Sequence, residues 1–106
     1  MDIATDPDIV TFMNVFTLEP ANQQRVIDLL TEVTERWVRH AKGFLGAVLH
    51  KSPDGTRLVM YSQWQSPDDY QAMREDPGPL PFLQEILPMV RFEPGAYQVV
   101  RTFMPD

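Results

Sequence analysis

There is no cysteine anywhere in the 106 residues. That excludes disulfides, thiolate nucleophiles, cysteine-ligated iron–sulfur clusters and thiolate zinc sites. No apolar run approaches the ~20 residues that cross a bilayer, so a membrane is not an expected partner. Positive charge is scarce too, with nine Lys and Arg against fifteen Asp and Glu and a net charge of −6. The basic residues are scattered, and an acidic surface repels phosphate backbones, so nucleic acid is not an expected partner either. The opening residues, MDIATDPD, lack a basic segment followed by an apolar one. No secretion signal is expected, and a cytoplasmic protein accords with the missing cysteines. Histidine is limited to His40, at the end of a predicted helix, and His50, on a predicted strand. They share no ligand spacing, and Asp54 belongs to a turn, so no metal site is expected.

What remains suffices for one domain over residues 1–106, with 1–8 as a loose arm, since 43% of the residues are hydrophobic and eleven are aromatic. Residues 59–70, VMYSQWQSPDDY, organise it. The first half alternates as a strand ending near Trp64. Ser66, Pro67, Asp68 and Asp69 then start a helix, with Ser66 as the cap, Pro67 at the first helical position and two acids at the positive end of the helix. Tyr70, in the first turn, is thereby brought close to Trp64, and this corner is the place to look for chemistry.

Residues 9–18 read as a strand with Val10, Phe12, Asn14, Phe16 and Leu18 on one face and an apolar face behind it. A strand apolar on both sides is covered on both sides. The chain's own helices can supply one cover, and the other implies a partner subunit. Asn14 reads either as an amide satisfied in the core or as a group pointing into a pocket. Residues 20–41 carry a helical stripe of Val26, Leu30, Val33 and Trp37, with Trp37 in the core and Gly43 as the left-handed stop. A second strand over 44–51 places Phe44, Gly46, Val48 and His50 on one face. The turn Ser52-Pro53-Asp54-Gly55 joins it to an antiparallel third strand over 57–65. His50 is either a structural residue at a strand end or a base. A second helix spans 67–75 and a short one about 82–87. Phe82, Leu83, Ile86, Leu87 and Met89 either finish the core or roof a cavity. The last strand has its core at 97–103. The order β-α-β-β-α-β is the ferredoxin-like α+β pattern with an antiparallel sheet, both helices on one face and the other face bare.

Four stretches add a resemblance: Asn14-Val15-Phe16; the helix exit into Gly43-Phe44; His50-Lys51-Ser52-x-Asp54-Gly55-Thr56; and Tyr61-Ser62-Gln63-Trp64-x-Ser66. In this order and spacing the chain resembles the antibiotic biosynthesis monooxygenase family from about residue 9 to 100. The resemblance implies a ferredoxin-like domain whose sheets meet in a homodimeric α/β barrel. It implies oxidation of a small aromatic, anthrone- or hydroquinone-like substrate by O2 without metal, flavin or haem. A substrate that forms an anion can itself reduce O2, so the protein need only position it, exclude water and stabilise the anion. Carried over by motif, His50 would be a base, Trp64 an indole N–H donor and Tyr70 a partner for a substrate oxygen. Phe12, Asn14, Phe16, Met60, Met73, Phe82, Leu83 and Gln84 would line the pocket. Met60 and Gln84 depart from the pattern, standing where polyketide oxygenases carry an Asn and some carry an Arg. A haem-cleaving branch is not matched, because Met73 and Leu83 fall near its Trp and its ligating His. Two other readings use the same pocket: a non-catalytic dimeric binding module, and a cofactor-free isomerase or cyclase.

Overall fold

A strand apolar on both faces belongs in the middle of a sheet. The computed structural model, which describes residues 3–106, has it there. β1 (Val10–Leu18) lies between β3 (Arg57–Trp64) and the last strand, with β2 (Phe44–Lys51) outside β3. All pairings are antiparallel, in the order β2-β3-β1-β4. α1 (Gln23–Arg36) joins β1 to β2, and α2 (Pro67–Glu75) and α3 (Leu80–Ile86) lead from β3 to β4 (Val90–Glu93). This is the ferredoxin-like α+β arrangement expected, with α3 inserted before the last strand. Val10, Phe12, Asn14, Phe16 and Leu18 are all buried toward the helices. Val26, Leu29, Leu30 and Val33 of α1 pack down onto that face as an i, i+3, i+4, i+7 stripe.

Four expectations need correcting. First, α1 stops at Arg36 and gives way to a 3-10 turn, Val38–His40. Trp37 therefore leaves the stripe and is 39% exposed, not core. Its ring lies across Gly78, where an added Cβ would come within 2.5 Å of it. Second, β2 does not alternate strictly. Phe44 opposes Trp64 and Gly46 opposes Gln63, so Leu45 is the extra residue of a bulge. One extra residue reverses the parity of everything after it. Ala47 and Leu49 thus share the helix side with Phe44, while Val48 and His50 turn to the open side.

Third, the last strand is broken, not centred on 97–103. Pro94 has no N–H to give a ladder. β4 pairs with Val15–Leu18 of β1, Met13 donates its N–H to the Gly95 carbonyl at 2.9 Å, and β5 (Ala96–Tyr97) pairs with Thr11 and Phe12. Residues 98–106 form no strand. Fourth, the N-terminal arm is pinned. The Gln63 amide accepts from Ala4 N–H at 2.8 Å and donates to the Ala4 carbonyl at 3.0 Å. Met1 and Asp2 lie outside the described residues. Among the described residues no helix is long and apolar enough to cross a membrane.

Candidate active site

The corner after β3 is built by its own sequence. Ser66 is extended, and its hydroxyl accepts the Asp69 N–H at 3.1 Å, with Pro67 first in the helix and Asp68 and Asp69 in the first turn. Gly43 closes the corner. Its φ of +82° favours glycine, and a Cβ there would meet the Asp69 carboxylate at 2.2 Å. α2 thereby starts beside the end of β3, and Tyr70 points back at the sheet. Its ring meets that of Trp64 edge-on at 5.6 Å and stacks on Phe12 at 3.7 Å. Phe44 closes on the other edge of Trp64 at 5.3 Å.

The buried side chains on the helix side form two clusters, not one. Phe16, Leu18, Leu58 and Ile86 with Val26, Leu29 and Leu30 of α1 make the first; Val10, Phe12, Trp64 and Tyr70 make the second. Between them lies a cavity that is open on one side. Asn14, Phe16, Met60, Ser62 and Trp64 supply its floor from the sheet. Tyr70, Met73 and Arg74 enter from α2, and Leu83 and Ile86 from α3.

Most of this wall is apolar, so its few polar atoms carry the specificity. The Tyr70 hydroxyl accepts from Asn14 Nδ2 at 2.9 Å and from Arg74 Nη1 at 3.3 Å. Asn14 Oδ1 is buried without a partner among the described residues. A buried acceptor left unmet costs ~1–3 kcal/mol, which a ligand donor could recover. Trp64 Nε1 donates to Ser62 Oγ at 3.1 Å. The indole N–H expected to serve a substrate is therefore engaged, because residues two apart on a strand share a face. The Ser62 hydroxyl, with its own proton still to place, is the polar group presented there.

Seven of the expected site residues converge on the cavity: Asn14, Phe16, Met60, Trp64, Tyr70, Met73 and Leu83. Four do not. Phe12 stands behind Tyr70 and braces its ring. Phe82 turns toward Arg36, whose guanidinium lies 5.8 Å over its ring. Gln84 is exposed, since α3 begins at Leu80 and its phase directs Leu83 and Ile86 inward. His50 is exposed on the open face, on the far side of the sheet from the cavity, because of the bulge at Leu45. Two site residues were missed, Ser62 and Arg74. Each had a positional signal: Ser62 is two residues before Trp64 on a strand, and Arg74 is one helical turn after Tyr70. Among the described residues no three His, Cys, Asp or Glu side chains converge as a metal site requires.

A ferredoxin-like sheet with helices on one face and an apolar, aromatic-walled cavity between the layers makes a domain built to hold a small molecule. The sequence matches the family described as antibiotic biosynthesis monooxygenase over residues 9–78, and the chain belongs to that family. It is 38% identical over 101 residues to tetracenomycin-F1 monooxygenase of Streptomyces glaucescens, covering 95% of this chain and 90% of that protein. Among solved structures it is similar to the ActVA-Orf6 monooxygenase of Streptomyces coelicolor in complex with nanaomycin D. That similarity has 28% identity, a TM-score of 0.80, and coverage of 95% of this chain and 96% of that one. It is also similar to SnoaB, a cofactor-independent oxygenase from Streptomyces nogalater, with 25% identity, a TM-score of 0.71, and coverage of 93% and 99%. The protein is a monooxygenase.

Proposed function

We propose that the protein oxidises a small planar aromatic substrate, anthrone- or hydroquinone-like, with O2 and without a cofactor. One observation supports this above the rest: the paired Tyr70 hydroxyl and Asn14 amide in a cavity whose wall is mostly apolar. An anthrone is weakly acidic, and its conjugate base is an electron-rich enolate. Held in the cavity, with its oxygen at the Tyr70 end, that anion passes one electron to O2. The radical pair then collapses to a C–O bond at the activated carbon. The hydroperoxide loses the remaining hydrogen from that carbon as its O–O bond breaks. One oxygen atom stays in the quinone and the other leaves as water, so four substrate electrons account for the whole of O2. Asn14, Ser62, Trp64 and Tyr70 orient the ring, and the apolar wall keeps water from the reactive carbon. His50 has no place in this scheme, and the first proton passes to solvent at the mouth.

The similarity to tetracenomycin-F1 monooxygenase and to SnoaB supports the aromatic substrate class and the cofactor-free route. The test is O2 uptake by metal-stripped protein with a panel of anthrones and hydroquinones, corrected for autoxidation. Saturable uptake with one quinone per O2 from an anthrone is expected. Turnover under strict anaerobiosis would replace oxidation by proton transfer, and binding without turnover in either condition would sink the reaction.

We also propose that the protein works as a homodimer closed over the open sheet face, as in a dimeric α/β barrel. Met13, Val48 and Tyr97 are 40%, 36% and 52% exposed there, and the tail beyond exposes Val100, Phe103 and Met104. A second copy of the same face would cover them. Sedimentation at micromolar concentration should give about twice the 12.2 kDa chain mass, and a monomer mass would refute the assembly.

A further inference from the structure

Gln84 leaves α3 without a cation, yet the cavity has one. Arg74 of α2 lines it beside Tyr70. Its guanidinium carbon lies 5.4 Å over the Phe92 ring and 6.0 Å over the Tyr70 ring, which sets the plane of the group. One N–H donates to the Tyr70 hydroxyl at 3.3 Å. Arg25, Arg36 and Arg91 each form an ion pair, but among the described residues no carboxylate pairs with Arg74. Arg39, Arg57 and Arg101 likewise have none among the described residues, but of these arginines Arg74 is the one that lines the cavity. A guanidinium has five N–H donors and no acceptor, so most of its donors are still to be matched.

The atoms around it complete a pattern. Tyr70 oxygen already accepts from Asn14 Nδ2 and from Arg74, so its own proton must point to a third group. Asn14 Oδ1 beside it is a buried acceptor with no partner among the described residues. Tyr70 and Arg74, which touch each other, thus both have a donor to offer beside an unmet acceptor.

We infer that Arg74 is the cation of the site. With Tyr70 it holds an ionised phenolic or enolic oxygen of the substrate, while Asn14 Oδ1 takes a neighbouring hydroxyl. This rests on the reading of the cavity as a planar-aromatic site and narrows it to rings with an acidic oxygen flanked by a second hydroxyl. A Phe92 face and a Tyr70 face hold the guanidinium over the cavity end, so α2 does the work for which α3 has no side chain. The bland alternative is a surface arginine whose stem merely covers two rings.

The experiment is an anaerobic binding titration at a pH just below the free dye's own pKa, using 1,2-dihydroxyanthraquinone and unsubstituted 9,10-anthraquinone. The proteins are wild type, Arg74→Met, Arg74→Gln and Arg74→Lys. Affinity is read by quenching of tryptophan fluorescence and ionisation by the red shift of the dihydroxy compound. Wild type should bind that compound in its red-shifted, ionised form. Arg74→Met and Arg74→Gln should bind it about tenfold more weakly and without the shift, the loss of one charge-assisted contact in a partly solvated place. Both should bind anthraquinone as wild type does, which also shows that they are folded. Arg74→Lys should restore part of the colour change. A wild-type complex whose dye stays neutral, or neutral variants that keep both affinity ratio and shift, would overturn the inference while leaving the aromatic site standing. Wild type that binds neither compound would overturn both. A shifted dye with no quinone formed from anthrones would uphold Arg74 and remove only the oxidation.

Discussion

The two faces of this sheet come from the same strands and are both largely apolar, yet they differ in kind. On the helix side, Asn14, Phe16, Ser62 and Trp64 are buried around a void, and Asn14 keeps an acceptor unmet among the described residues. On the open side the polar groups are largely consumed. Gln63 donates to Thr11 Oγ1 at 3.2 Å and clamps Ala4 as well. The Tyr61 hydroxyl is the exception, buried without a partner among the described residues. Hydrophobicity does not tell a reactive face from a docking face. Nor does an unmatched polar atom, since each face carries one; what separates them is that helices wall the cavity on the one face and contribute nothing to the pocket on the other. Each prediction below tests that division.

The largest effect falls on the helix side. Tyr70→Phe keeps the ring stacked on Phe12 and against Trp64 and removes only the hydroxyl. Loss of one donor aimed at a developing oxyanion costs about 10²–10³ in kcat. KM for a neutral ring should change less, and Tm should fall by a few degrees, because Asn14 Nδ2 loses its buried partner, a cost of about 1–3 kcal/mol. A kcat within twofold of wild type would mean that the Tyr70 end of the cavity does no chemistry.

The next effect belongs to the open side. Met13→Asp puts a charge at the centre of the face, on the strand that carries Asn14 next door. Burying an unpaired carboxylate between two copies costs several kcal/mol, enough to dissociate a micromolar dimer. Sedimentation should then show the 12.2 kDa chain mass, with dye binding in the cavity retained. A Met13→Asp protein that stays dimeric would place the interface elsewhere.

Much of this division was legible in the sequence. The double-sided β1, the Ser66-Pro67 cap and the closeness of Trp64 to Tyr70 follow from alternation and capping, which are local. Bulges and helix phase were not legible, because they depend on tertiary packing. Leu45 carries no sequence mark of being the extra residue of β2, yet it decides the side on which His50 lies. The start of α3 at Leu80 decides between Leu83 and Gln84. Arg74 was overlooked for a different reason: a lone arginine on a helix normally reads as solvated surface, and only the rings of Phe92 and Tyr70 beneath it reveal otherwise.

A smaller effect tests how firmly the two faces are kept apart at the β2–β3 hairpin. The Asp54 carboxyl accepts from the Thr56 hydroxyl at 2.6 Å, from the Thr56 N–H at 3.0 Å and from the Ser52 hydroxyl at 2.7 Å. These bonds, the Thr56 hydroxyl first, lower its pKa from 3.8 to about 2. The folded state therefore gives up this proton more readily than the unfolded chain. The turn's contribution is whole above the unfolded value and is lost as pH falls from 3.8 toward 2. Asp54→Asn should lower Tm slightly at pH 7 and lose its difference from wild type as the pH nears 2. A difference that persists unchanged in acid would mean that the carboxylate does not hold the turn.

The smallest effect is the one that could break the comparison outright. His50 is the residue that the motif resemblance offers as a base. A base must reach the proton it removes, within about 2.6–3.2 Å or through one water. His50 pairs across the sheet with Val59, and Val59 lies between Leu58 and Met60, which face the helices. The imidazole is therefore separated from the substrate by the thickness of the sheet. His50→Ala should leave kcat and KM with an anthrone within about twofold of wild type at concentrations that keep the dimer, against the 10²–10⁴-fold contribution typical of a general base. A loss of that larger size with the dimer intact would mean that the open face reaches the reaction after all, by a route through the partner copy, and that the two faces do not divide the labour.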